Sequence, residues 1–170
     1  MKGKKEYIVL LIIILGLVTY LAFKRTDQLH YAIPRLAAVD AKGITAIELT
    51  KKGETVRLSK KDKAWYIEPK GYPADSSKVD KMLGVIGSLT LTDMVSESKN
   101  YARYELGDRE KVTVRAYTGT GLSRQFDIGK TAPSSRHTFV MIPESGKVYQ
   151  ARDSFRDYFI LGADGLRDKQ

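Results

Sequence analysis

The chain has 170 residues, 29 Lys and Arg against 20 Asp and Glu, a formal charge of +9, two histidines and no cysteine. The missing cysteine excludes disulfides, thiolate metal sites, a cysteine nucleophile and a sulfur-linked lipid. The basic excess is spread along the chain, without the basic clusters and interleaved aromatics of a nucleic-acid surface.

Residues 7–23, YIVLLIIILGLVTYLAF, carry no charge; Lys2, Lys4 and Lys5 precede them, and Lys24 and Arg25 follow. A helix here, rising about 1.5 Å per residue, falls a little short of a hydrocarbon core of about 30 Å. Flanking lysines, with Tyr7 and Tyr20, can bridge that gap by reaching to the interfaces. The run ends Thr19-Tyr20-Leu21-Ala22-Phe23, which lacks the small-residue pair of a signal-cleavage site. The expectation is an uncleaved transmembrane anchor over 1–25, with Tyr7, Ile8, Gly16, Tyr20 and Phe23 in the lipid bilayer. The lysines favour a cytoplasmic N-terminus. That makes a single-pass protein of the bacterial inner membrane, with its main domain periplasmic.

Residues 26–42 read as a connector broken near Pro34, with His30 as a solvated interfacial residue. Residues 43–170 form one domain. Alternating apolar positions predict strands over 44–50, 55–59 and 64–68. Trp65, the only tryptophan, anchors the sheet face or, alternatively, stacks on a ligand. A helix begins at Asp75-Ser76-Ser77, with Ser77 and Asp80 as a capping box. Val79, Met82, Leu83, Ile86 and Leu89 make its apolar stripe, and Gly84 and Gly87 let it sit closely on the sheet. Residues 91–106 are transitional, with a helical turn in YARYELG. Further strands are predicted over 111–118, 122–128, 137–142 and 147–151, with Arg124 interrupting the apolar face made by Leu122, Phe126 and Ile128. Ser154 and Asp157 repeat the capping pattern before a short helix. The fold class expected is α+β, with an N-terminal transmembrane helix and one antiparallel-sheet domain of about seven strands and two main helices.

No catalytic constellation stands out. Ser134-Ser135-Arg136-His137 is the segment richest in reactive groups. A serine nucleophile, however, needs a base within reach and a third group to orient that base, and no GxSxG turn occurs. Neither HxxxH nor DxDxDG is present, so no metal is expected, and no phosphate-cradling glycine motif points to a cofactor. The binding candidates are Lys130, Arg136, His137 and Trp65, the first two suited to an anion.

Several spaced segments are familiar together: WYIEP, PADSSKVDKML, YARYELG, DIGKTAP, VYQA and LRDK. The chain resembles the bacterial family DUF4340, a domain of unknown function. The resemblance implies a membrane-attached extracytoplasmic α+β domain, often associated with ABC-type export systems of the gliding-motility kind. It brings no catalytic residues. The expected function is therefore a non-catalytic envelope protein whose outer domain binds a membrane partner such as an ABC transporter subunit. The alternatives are an envelope hydrolase and an anionic lipid or wall-polymer binder.

Overall fold

The computed structural model describes residues 3–23 and 33–169, and in the first stretch the side chains of residues 6–20. Contacts divide the chain into two units, Met1–Ala32 and Ile33–Gln170.

The first unit is helix α1, Gly3–Phe23. Its first turn carries Lys4, Lys5 and Glu6. From Tyr7 to Tyr20 its large apolar side chains are all more than half exposed. Among the described residues, no helix is long and apolar enough to cross a membrane. The transmembrane helix expected from the sequence is corrected accordingly. Charged residues occupy the first turn, which leaves residues 7–23 as the uncharged part of the helix, a rise of about 25 Å against a hydrocarbon core of about 30 Å. The side chain of Phe23, His30, the flanking Lys2, Lys24 and Arg25, and the first part of the connector lie outside the described residues.

The second unit is built on one nine-stranded sheet in which every pairing is antiparallel. The strands are β1 (Ala46–Lys51), β2 (Glu54–Lys61), β3 (Ala64–Glu68), β4 (Tyr72–Pro73), β5 (Leu91–Ser96), β6 (Val112–Thr118), β7 (Gly121–Thr131), β8 (His137–Met141) and β9 (Val148–Arg152). Their order is β4-β3-β2-β1-β6-β7-β8-β9-β5. Two meanders thus step outward from a central β1–β6 pair. Helix α2, Ser76–Ser88, carries the chain from the β4 edge to the β5 edge. The short helices α3 (Arg156–Phe159) and α4 (Ala163–Leu166) follow β9.

The tight turns follow from local chemistry. Lys52 and Gly53 have φ of 53° and 84°, and Asp62 and Lys63 have 49° and 77°. Both central residues at positive φ are what a two-residue hairpin loop requires to match strand twist.

Nine strands replace the seven or so expected, because β4 and β5 were missed. β4 has only two residues. β5 hides its periodicity: register shifts fall between Leu91 and Asp93 and again between Met94 and Ser96. Each shift re-aims the side chains, so Leu91 and Met94 both join the core three residues apart. Such bulges also blunt a sheet edge against pairing with another chain.

The alternation of strands decides which side is dry. Ile47, Leu58, Ile67, Val114 and Phe126 point to the side covered by α2, α3 and α4, and are at most 2% exposed. Val79, Met82 and Ile86 on α2 are fully buried against them. Ile33, Leu36 and Val39 pack onto the same core. At Gly87 a Cβ would lie 3.1 Å from Ala41 Cβ, whereas at Gly84 it would meet nothing within 4 Å. Only Gly87 therefore serves close packing, and what it admits is the segment before β1. A second, smaller core lies on the opposite side of β7–β9. There Leu106, Phe139, Met141 and Val148 are covered by the turn Tyr101–Tyr104.

The cap of α2 is Asp75, which accepts from Ser77 N at 3.0 Å and Lys78 N at 3.3 Å. The Ser77–Asp80 spacing alone points to Ser77, but the cap lies two residues earlier. At α3 the cap position is Phe155 with no side-chain bond, so the Ser154–Asp157 box is not formed. Hydrogen bonding and charge from Lys78, with backbone donors added, hold the Asp75 carboxyl below its ordinary pKa. A lowered carboxyl pKa stabilises the fold above the ordinary range, and that support is lost as pH falls through the lowered value. Asp75→Ala should lower the thermal midpoint by a few degrees at neutral pH and flatten its acid dependence, while Ser77→Ala leaves both nearly unchanged. Melting curves between acid and neutral pH read both.

Candidate interaction face

The side of β1–β3 and β6 away from the helices carries an ordered polar array. Register places Arg115 opposite Glu48, Glu48 opposite Arg57, and Arg57 opposite Glu68, so opposite charges alternate across four strands. Directly opposed residues of opposite charge attract. Arg57 Nη1 donates to Glu48 Oε1 at 2.7 Å. Tyr117 OH donates to Glu48 Oε2 at 2.9 Å. The Arg57 guanidinium lies 5.8 Å from the centre of the Tyr117 ring. Glu68 Oε1 accepts from Ser59 at 2.7 Å and pairs with Lys61 at 2.9 Å.

These contacts set the electrostatics. Burial, and then the carboxylate of Glu48, push the Tyr117 phenol above its ordinary pKa, so it stays a donor at neutral pH. Lys61, then Ser59, hold the Glu68 carboxyl below its ordinary value. Farther along, buried Asp127 accepts from Thr113 at 2.7 Å and pairs with Lys111 at 3.2 Å. Burial would lower the Lys111 pKa, but Asp108 and Asp127 together raise it. The array fixes the rotamers of long side chains on the sheet, which reduces the ordering cost of meeting a partner.

The residues singled out from sequence fall elsewhere. Trp65 is 5% exposed, inside the main core. Lys130 is half-buried on β7, in the register shift between Ile128 and Thr131. Arg136 is exposed in the turn before β8, and His137 opens β8 opposite Arg152. His137 Nδ1 lies 3.3 Å from Ser134 Oγ. The serine beside the ring is thus Ser134, whereas Ser135 holds a φ of 56°. Among the described residues no carboxylate contacts His137, and no group of three metal-ligating side chains is assembled. Tyr7, Ile8 and Tyr20 are exposed on α1, and a Cβ at Gly16 would meet nothing within 4 Å.

A cleft of about 530 Å³ lies between α2 and the segment after β9. Its serine and threonine hydroxyls are committed: Ser88 to the Gly84 carbonyl, Thr90 to the Ser88 carbonyl and Ser154 to Thr131.

Sequence reasoning missed Glu48, Arg57, Glu68 and Tyr117 as a group. The available signal was that the outward positions of consecutive strands carry charges of alternating sign.

Residues 65–170 match the family model described as "Domain of unknown function (DUF4340)". No curated protein and no solved structure matches the chain.

Proposed function

The chain belongs to the DUF4340 family, whose function is undefined, and from that premise we propose a non-catalytic envelope protein whose sheet domain binds a protein partner at a membrane. The observation that carries this reading is the pre-ordered row of Arg115, Glu48, Arg57 and Glu68 with Tyr117 beside it. Arginine and tyrosine dominate binding energy where they are held rigid and then desolvated. Alternating charge adds register and selectivity, because a misplaced partner juxtaposes like charges. The exposed apolar side chains of α1 support a place at a lipid surface. A subunit of an ABC-type transport system is the partner class that the family resemblance suggests.

A photo-crosslinking residue at position 55, exposed beside Arg57 on the outward side of β2, tests this directly in the full chain. The expected result is capture of one membrane protein from cells, with no capture from Thr120 in the β6–β7 turn. Arg57→Glu should weaken co-purification of that protein by about tenfold or more. Recovery of the chain alone, or equal capture from both positions, would overturn the reading.

A further inference from the structure

Arg124 sits on the apolar side of β7, the side of Phe126 and Ile128, and is 8% exposed. Its Nη1 donates to the Ile86 carbonyl near the end of α2, and its Nη2 to the Ala37 carbonyl. Among the described residues no carboxylate pairs with it. Burial pulls its pKa below the usual arginine value, yet a guanidinium keeps its proton in proteins. A full positive charge is therefore held in the domain by two carbonyl dipoles, with no counter-ion among the described residues. The carbonyls offset part of the desolvation cost of such a charge, and a carboxylate would offset more.

The same side chain lines a cleft of about 350 Å³ together with Leu36, Leu122, Gln125, Ile142 and Glu144. Leu122 is 53% exposed, uncommon for a leucine in a strand of this sheet. A guanidinium has five donors in a planar fork, and the two carbonyls leave the others without an acceptor among the described residues. We propose that this cleft binds a small monocarboxylate with a short apolar body. The carboxylate supplies the missing counter-charge and matches the planar fork. Leu36, Leu122 and Ile142 receive the apolar body. Glu144 disfavours a second negative charge, which selects a monoanion over a phosphate ester. The volume lies at the small end of ligand pockets, roughly 300–1,000 Å³, so the body is short. Because Arg124 also ties Ala37 to α2, the ligand braces the segment that enters the sheet. The site is separate from the polar sheet face, and its test stands apart from the partner reading.

The probe is hexanoate, titrated into the isotope-labelled full chain in nonionic detergent and followed by amide chemical shifts, with hexanamide and hexyl phosphate as comparisons. The expected result is saturable shifts confined to residues 36–37, 122–125 and 142–144. Affinity should be about tenfold or more weaker for both comparison compounds. Arg124→Gln should abolish the shifts, and Glu144→Gln should tighten hexanoate severalfold. If Arg124→Gln does not fold, Leu122→Asp at the exposed mouth must weaken hexanoate by about tenfold while leaving the spectrum native. Equal binding of hexanamide, shifts dominated by α1, or hexanoate binding unchanged in the folded variants would overturn the proposal.

Discussion

Replacing Gly129 with alanine is expected to destabilise the sheet domain by about 3 kcal/mol or more. A Cβ at this position would lie 2.2 Å from the Tyr104 carbonyl oxygen and 2.9 Å from Leu106 Cγ. The first of these atoms is backbone, which cannot move aside as the end of a side chain can. To admit the methyl group, the turn Tyr101–Tyr104 must lift off β7. That turn covers the second core, where Tyr104 meets Phe139 edge-on with ring centres 5.0 Å apart. Lifting it exposes Leu106, now 1% accessible. The control is Gly84→Ala, where the new methyl meets nothing within 4 Å. In a helix interior that change stabilises by about 1 kcal/mol. Urea denaturation of the two variants should therefore shift in opposite directions. Equal midpoints would mean that the turn is not seated on β7.

Phe126→Ala should cost about 4 kcal/mol. Phe126 is fully buried at the middle of β7, and its ring centre lies 6.2 Å from that of Phe159 at 78°. Phe159 in turn meets Phe155 at 6.1 Å and 75°. These edge-to-face contacts attach α3, a helix too short to persist alone, to the main sheet. Removing the Phe126 ring leaves a cavity and loosens that attachment as well. Phe159→Ala should act similarly, and the double variant should cost less than the sum of the two by about 1 kcal/mol. Additive losses would show that the two rings stabilise the domain independently.

Phe126 was legible in the sequence, because it alternates with Ile128 at strand spacing and lies in a long apolar pattern. Gly129 was not. Its φ is not positive, so no turn signal marks it, and its role arises from a segment about 25 residues earlier in the chain that happens to land on it. Arg124 shows the same limit. A charge at an inward position reads from the sequence as an interruption, and only the fold brings Ile86 and Ala37 to it from distant parts of the chain. The strands with clean alternation were found, while β5 escaped because its bulges broke the period. The polar row on the sheet was half legible. Apolar alternation turns Glu48, Arg57 and Arg115 outward, but which charge stands opposite which depends on register across strands remote in sequence.

By itself the sequence determined the kinds of element and their faces: antiparallel strands from period-two alternation, one amphipathic helix from its stripe, and an apolar N-terminal helix. These are short-range properties, set by neighbours within a few residues. Tertiary structure alone decided that two meanders join at β1 and β6 into one sheet, and that α2 crosses from edge to edge. It also decided which outward charges stand opposite one another on the sheet and which basic residue is buried against two carbonyls. Those outcomes depend on contacts between residues far apart in the chain, where loop closure, packing and desolvation are settled together and no local pattern records the result.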